Sequence, residues 1–398
     1  MTMEPWTPLF RGVLVTALVL LVGVPPTLSF VVFPELERRG FDTAPAHRVA
    51  LPTIFATLIG AGLAAAGLAV GNARASEAGS VLAWASSTVA GQAWVALTLA
   101  AVAAGGLTAG RYIDSDRISR RSWLTGVCLG AFVMLIAFCW TRYSVAVERP
   151  ALAILVKVGH MTGGALWVGG LAVLAVFPAL VPRGDDGIER AELVLATVRR
   201  FSMLAVAGVT VAFATGVVIA AWHVPTLTAL ATTPYGLVLS AKVVLVVVAA
   251  AIGGFNRVVL HEGIAHSIDG STEVAALPGM LTGIRPQVDP HDAAPAVARS
   301  VRVELLILFA AMGLSVVLTT AMTPSYELLE PAVQASTEVV VGGVTLAGFG
   351  TLLDLGAVAI ALAGALALGY EVGKFAVDRK AHERRSHRSP EETRAERK

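Results

Sequence analysis

The sequence has few cysteines and few charged residues, and both shortages narrow the class of protein. Its only cysteines, Cys128 and Cys139, stand eleven residues apart in one apolar segment. That separation is roughly 16 Å along a helix, so the two thiols cannot bond to each other within it. A disulfide framework and a CxxC metal site are therefore excluded. Charged residues make up 15% of the chain and the formal net charge is +2, which argues against a nucleic-acid partner.

The sequence also lacks the motifs of common enzyme classes. The stretch HEGIAH spaces His261 and His266 five residues apart, whereas a HExxH metalloprotease helix needs a spacing of four. No phosphate-binding loop, nucleotide motif or nucleophile–base pair is visible. We therefore expect a protein that is not an enzyme, and in particular not an ATP-driven pump.

Long apolar segments dominate what is present. Apolar residues make up 56% of the chain, and the mean hydropathy is +0.73. Soluble domains carry about 25% charged residues, well above the fraction in this chain. The composition and segment lengths predict an all-α, polytopic transmembrane helix bundle, with a kink at Pro25-Pro26 in the first span. We expect nine spans, at about 9–33, 49–71, 88–110, 122–145, 151–181, 201–223, 234–257, 298–322 and 347–370.

Arginine is concentrated in every second loop. The loops after spans one, three, five and seven carry several arginines each, whereas the alternate loops carry few or none. Because short loops rich in Lys and Arg stay in the cytoplasm, the N-terminus is predicted outside and the C-terminus inside. The chain then divides into an N-terminal four-span membrane region (1–150), a second four-span membrane domain (151–322), an outer loop with the ninth span (323–370) and a basic cytoplasmic tail (371–398).

This orientation gives a first testable prediction. A reporter that is active only in the cytoplasm should work when it is fused after Lys398 or inserted in the 259–297 loop. It should fail in the 323–338 loop, because that loop carries no Lys or Arg. Reporter activity at each insertion is the measurement. Activity in the 323–338 loop would overturn the outer assignment of His223 and Met322.

Unusual polar residues fall near the outer ends of the later spans. The stretch GHMTGGALWVGG carries His160 and Met161 in the outer part of span five. His223 stands at the outer mouth of span six, Met322 ends span eight, and Asp354 lies in the first turns of span nine. Imidazole and thioether ligands suit Cu(I), and imidazole with carboxylate suits Cu(II). These five residues predict an outward-facing transition-metal site.

Plainer interpretations stand beside this one. Met161 points about 100° away from His160 on an ideal helix, which favours packing over metal binding. His223 stands near a helix end, where a histidine is often only an interfacial residue. Arg302 and Glu304 stand at the inner end of span eight, where an interfacial role is favoured over chemistry.

Lys242 lies inside span seven, roughly 12 Å below its outer end. A buried ammonium group needs a partner. Asp354 has a comparable depth, so a Lys242–Asp354 ion pair is predicted. The alternative is a lysine side chain that extends to the outer surface.

Small residues follow His160 in span five. Small residues let backbones approach closely in a membrane, and four of them predict such packing: Gly163, Gly164, Gly169 and Gly170. His160, Gly164 and Trp167 share one helix face at i, i+4 and i+7. We therefore expect His160 to point into a helix contact.

The stretch from His160 to Met322, about two-fifths of the chain, resembles the copper-resistance protein D (CopD) family of membrane proteins. The matching pieces are HMTGGALWVGGLAVL, RRFSMLAVAGVTVAFATGVVIAAW, TPYGLVLSAKVVLVVVAAAIGGFNRVVL and RSVRVELLILFAAMGLSVVLTTAMTP. The resemblance implies copper import across the cytoplasmic membrane of the cell, with the copper ion as transported substrate. It implies an extracytoplasmic copper-binding protein as a partner, in addition to the lipid bilayer.

Two other functions remain open from the sequence. His160 and His223 have similar predicted depth on adjacent spans and could be the axial ligands of a b-type haem in a membrane electron carrier. A non-transporting factor that helps to load copper into a membrane enzyme is the other alternative.

Overall fold

The structure of the chain is a computed structural model that describes residues 6–76, 80–143, 150–181, 187–224, 227–269, 289–320, 338–341 and 344–347. The helices of the first half are α1 (Thr7–Thr27), α2 (Phe33–Arg38), α3 (Ala44–Ala75), α4 (Val81–Ser87), α5 (Val89–Ile113) and α6 (Arg120–Tyr143). Those of the second half are α7 (Pro150–Ala175), α8 (Phe177–Leu180), α9 (Gly187–His223), α10 (Leu227–Thr232), α11 (Pro234–Phe255), α12 (His261–Asp269) and α13 (Ala293–Thr320). A 3₁₀ turn, Pro290–Asp292, precedes α13.

The described residues contain eight helices long and apolar enough to cross a membrane. The first runs without a break from α1 to α2, and the others are α3, α5, α6, α7, α9, α11 and α13. They correspond to the first eight predicted spans. The predicted all-α, polytopic bundle is thereby confirmed. Apart from Ala347, the predicted ninth span and the basic tail lie outside the described residues.

A short β-hairpin, which the sequence analysis did not predict, departs from the helical structure. Strand β1 (Glu338–Val341) pairs antiparallel with strand β2 (Val344–Ala347), in the predicted loop between spans eight and nine. Valine-rich strands separated by Gly-Gly are a typical hairpin pattern. The apolar count that located the spans does not distinguish this pattern from the start of a helix.

The predicted kink at Pro25-Pro26 takes a specific form. Helix α1 contains both prolines and continues into a π-helical turn, Leu28–Val32, and then into α2. Prolines lack the N–H that a regular helix needs, and a wider turn accommodates the disturbed hydrogen bonding. The Thr27 hydroxyl donates to the Gly23 carbonyl at 2.9 Å and stabilises this turn.

The N-terminal half and the second half are joined through α1 and α7. Helix α1 packs against α3, α6 and α7, while α7 packs against α9 and α13. Gly23 of α1 faces Gly169 of α7, where a Cβ on Gly169 would stand 2.6 Å from the Gly23 Cα. The two backbones are therefore in direct contact, as in other close membrane helix pairs.

Ion pairs gather at the arginine-rich end of the bundle. Glu35, only 2% exposed, accepts from Arg38 Nη1 at 2.9 Å and pairs with Arg200 Nε at 3.1 Å. Arg39 pairs with Glu192 at 2.7 Å. These contacts join α2 to α9 and hold the first span against the second half. We name this end inner, and the opposite end outer, after the predicted orientation.

Candidate functional site

His160 lies on the face of α7 that contacts α9. Its Nδ1 is 2.8 Å from the Ala212 carbonyl oxygen, and its ring packs against Gly216. A carbonyl oxygen only accepts, so Nδ1 carries the proton and the Nε2 lone pair is available. This is the arrangement of a metal-binding histidine, whose second nitrogen donates to a carbonyl or carboxylate. His160 points into a helix contact, as predicted.

His223 ends α9 and has the same tautomer. Its Nδ1 is 2.8 Å from the carbonyl oxygen of Ile219, one turn earlier, which again leaves Nε2 available. The ring stacks on Tyr235 of α11, with centroids 5.8 Å apart. The side chain is therefore held by two helices, which is more than a solvated interfacial histidine requires.

The two imidazoles do not meet at one level of the bundle. His160 packs against Gly216, and His223 follows Gly216 by seven residues, about 10 Å along α9. The His160 ring contacts α9 at Ala212 and Gly216, whereas the His223 ring contacts it at Ile219, so the two histidines stand at successive levels of the outer half. Both histidines were predicted simply as outer, because the sequence contains no information on the register of α7 against α9.

Met161 faces a different helix from His160, as the 100° step predicts. Its sulfur lies 3.8 Å from the Cys139 Sγ of α6. Cys139 is fully buried, so the two soft sulfurs form a pair inside the junction of the two halves. The pair belongs to the packing of α6 on α7 and stands apart from the histidine face.

Met322 and Asp354, the other two predicted ligands, lie outside the described residues. Lys242, the predicted partner of Asp354, lies on α11 close enough to His160 for its charge to act there. No acidic side chain among the described residues pairs with Lys242. A cation at His160 requires this positive charge to be compensated, so the Lys242–Asp354 pair remains a prediction.

No group of three or more His, Cys, Asp or Glu side chains within the described ranges is arranged to hold a metal ion. The candidate ligands there occur singly or in pairs. A cavity of about 320 Å³ opens at the outer end of the N-terminal half, lined in part by Arg11, Asn72 and Trp94. None of its lining residues is a candidate ligand.

Glu304 is the functional candidate that the sequence analysis underrated. The sequence placed it at the interface, but the carboxyl is only 3% exposed and lies between three spans. The indole Nε1 of Trp167 donates to Glu304 Oε1 at 2.8 Å. The signal was present in the sequence, since an ionisable residue inside an apolar span indicates function by default.

A second polar pair follows Glu304 towards the inner end. Ser300, one turn before Glu304 on α13, donates to Asn256 Oδ1 at 2.6 Å. Asn256 opens a π-helical turn after α11, Asn256–Leu260, and its buried Nδ2 has no hydrogen-bond partner in the described part of the chain. Such π-helical turns are frequent at functional sites.

These side chains form what we name the polar column, which consists of His223, His160, Glu304, Asn256 and Ser300. Trp167, the donor to Glu304, follows His160 by seven residues, so the carboxyl lies about 10 Å further inward. The column is built from α7, α9, α11 and α13, and it extends from the outer end of the bundle into its inner half.

The glycines around His160 divide into two groups. A Cβ at Gly163 would stand 2.5 Å from the Gly208 carbonyl oxygen of α9, and Gly169 and Gly170 are similarly crowded. The predicted close packing is confirmed for these three. It is wrong for Gly164, whose Cβ would meet nothing within 4 Å. Gly164 lies between His160 and Trp167, so open space lies beside the polar column there.

Comparison with known proteins finds a family that part of the chain resembles. Residues 195–318, from α9 to α13, match the profile of the family described as copper resistance protein D. This segment is therefore similar to that family. The resemblance predicted from the sequence is thus confirmed over these residues. The HMTGGALWVGGLAVL piece of α7 lies outside the copper resistance protein D segment, whereas the other three pieces begin within it.

A curated relative supports the same assignment. Over 130 residues the chain is 30% identical to the copper transport protein CutJ of Bacillus subtilis (strain 168), which is 33% of this chain and 23% of the relative. The chain therefore spans less than a quarter of the length of that relative. No solved structure matches the chain. Four of the five column residues lie in the copper resistance protein D segment, and His160 lies before it.

Proposed function

We propose that this protein transports copper across the cytoplasmic membrane, in the direction of import, and that the polar column is the path. The observation that carries the proposal is the column itself. It begins with two histidines whose Nε2 atoms are available and continues to a buried carboxyl. Membrane spans exclude such groups unless a function retains them.

The serial arrangement of the ligands suits transport better than storage. A path must bind its ion strongly enough to accept it and weakly enough to release it, which favours several weak sites over one saturated site. Steps of about 10 Å separate His223, His160 and Glu304 along the bundle. Copper reaches the outer histidine from solution or from an extracytoplasmic copper-binding protein.

The same geometry disfavours a haem carrier. The two axial histidines of one haem must face each other across a single iron. His160 instead contacts α9 at Ala212 and Gly216, and His223 contacts it at Ile219, so the two rings follow one another along the same helix. A membrane scaffold for copper loading would not need polar groups throughout the depth of the bundle. Copper transport accounts for the inner half of the column as well as the outer half.

Copper flux into vesicles tests the function. Purified protein in liposomes should move Cu(I), supplied outside under reductant, into the vesicle lumen, and protein-free liposomes should accumulate far less. The accumulated copper is counted by metal analysis after external chelation. The same preparation should show no Soret absorbance.

Each rival has its own signature in this experiment. A scaffold binds copper but moves none into the lumen, so bound copper without accumulation would refute transport. A Soret band with stoichiometric haem would identify the electron carrier instead. Uptake that occurs only in vesicles with the cytoplasmic face outward would reverse the proposed direction.

A further inference from the structure

Glu304 is held in a pocket that three spans build for one carboxyl group. Trp167 of α7 donates to Oε1 at 2.8 Å, and Gly253 of α11 lies on another side. A Cβ on Gly253 would stand 2.9 Å from the same oxygen, so the absence of a side chain there makes the space. The carboxyl is therefore accommodated by shape as well as by a hydrogen bond.

None of the ion pairs found among the described residues involves Glu304. The carboxyl is 3% exposed, and the hydrogen bond to it comes from the indole of Trp167, a neutral donor. Arg302, the nearest basic residue in sequence, directs Nε and Nη2 to the Ala175 carbonyl at 3.1 and 2.9 Å. A buried carboxylate without a cation is costly, and such a group takes up a proton instead.

Titratable groups on the helices around α13 lie at other depths or have interactions of their own, and the latter include Lys157 of α7 and Arg257 of the π-helical turn after α11. Lys242 precedes Gly253 on α11 by eleven residues, roughly 16 Å. His160 lies about 10 Å further outward on α7. Arg200 of α9 pairs with Glu35. Arg11 of α1 donates to the Thr319 carbonyl at 2.8 Å. Asp292, in the inner turn before α13, is twelve residues from Glu304, roughly 18 Å.

The pocket nevertheless lies on the proposed path of an ion that leaves His160. Trp167 and His160 share one face of α7, and Gly164 between them borders open space. An ion that reaches Glu304 meets an oxygen ligand, which binds soft copper weakly. Weak binding at mid-depth suits a step from which the ion must be released.

We propose that Glu304 exchanges a proton for the copper ion, so that copper import is coupled to proton export. This inference rests on the proposed copper transport. When Cu(I) arrives, the O–H bond of the carboxyl breaks, the carboxylate oxygen contacts copper, and the proton leaves to the outer water. When copper leaves to the inner side, the carboxylate takes one proton from the inner water. One positive charge replaces another, and no electron is transferred.

Proton movement in the copper-flux vesicles tests this exchange. A pH-sensitive dye in the lumen reports the internal pH. Potassium with valinomycin clamps the membrane potential, so that a potential set up by copper movement does not itself drive protons across the membrane. The wild-type lumen should become alkaline by one proton for each copper ion imported. In Glu304→Gln, which keeps an acceptor for Trp167, copper flux should fall at least tenfold and the alkaline shift should disappear. Asp116→Asn, a change at an exposed loop carboxylate, should leave both signals unchanged.

A spectroscopic measurement covers the case in which Glu304→Gln fails to assemble. Infrared difference spectra of the purified wild type should lose one protonated-carboxyl C=O band when Cu(I) binds. Glu304→Asp should keep a shifted band.

The outcomes separate the two proposals. Copper import without an alkaline shift, or an unchanged carboxyl band, overturns the exchange alone. A wild type that imports no copper overturns the proposed function and the exchange with it.

Discussion

Replacing His160 with alanine should reduce copper uptake by at least about tenfold, because even an outer-shell change at a metal site typically costs that much and His160 is a proposed direct ligand. The ring nitrogen Nε2 is the group that is lost, since Nδ1 is engaged with the Ala212 carbonyl at 2.8 Å. Copper accumulation in cells, normalised to the amount of protein in the membrane, is the measurement. Uptake by the wild type should weaken once the pH is low enough to protonate the imidazoles, because only a neutral imidazole binds a metal ion.

Two matched variants separate ligand loss from structural damage. In His160→Asn, the amide nitrogen can replace Nδ1 as donor to Ala212, but the hard amide oxygen is a poor ligand for Cu(I). Uptake should fall as far as in His160→Ala. Met161→Leu, a nearly volume-conserving change on the adjacent face, should have little effect. Retained uptake in His160→Asn would assign His160 to the helix contact, and normal uptake in well-expressed His160→Ala would remove it from the path.

The membrane spans could be predicted from the sequence because one physical requirement determines them. Backbone polar groups in hydrocarbon must be satisfied inside the segment, so each span is a helix of nearly fixed length and apolar composition. This requirement located all eight helices of the described residues, from Thr7–Arg38 to Pro290–Thr319. The largest error is the start of span six, which was predicted at about 201, whereas its helix begins at Gly187. It carried no information on which helix packs on which.

Errors at helix ends affected the candidate site most. Span eight was predicted to begin at about 298, whereas α13 begins at Ala293. That shift of five residues is more than one turn and moves Glu304 from the interface into the inner half of the bundle. Helix ends are the least certain part of a sequence-based assignment, and a buried carboxyl a few residues from a predicted end is easily mistaken for an interfacial one.

The positions of the histidines could not be predicted for a different reason. Loop charges predict which end of each span is the outer one. The depth of His160 relative to His223 depends instead on the register of α7 against α9. Backbone contacts determine that register, since Gly163 of α7 faces Gly208 and Ala212 of α9. Glycine spacing indicated that a contact exists, but the partner glycine is 45 residues away in the sequence.

Adjacent glycines provide the test of that register. Gly163→Ala should destabilise the protein by about 1–3 kcal/mol, the usual cost of overpacking, because its Cβ would stand 2.5 Å from the Gly208 carbonyl oxygen and 2.7 Å from the Ala212 nitrogen. Gly164→Ala makes the same chemical change one residue later, where nothing lies within 4 Å, and should cost nothing or stabilise by at most about 1 kcal/mol through helix propensity. The free energy of unfolding, measured by detergent denaturation of both variants under identical conditions, decides between them. Equal stabilities would contradict the α7–α9 contact and, with it, the place of His160 beside Gly216. A loss confined to Gly163→Ala would establish the register on which the outer half of the polar column depends.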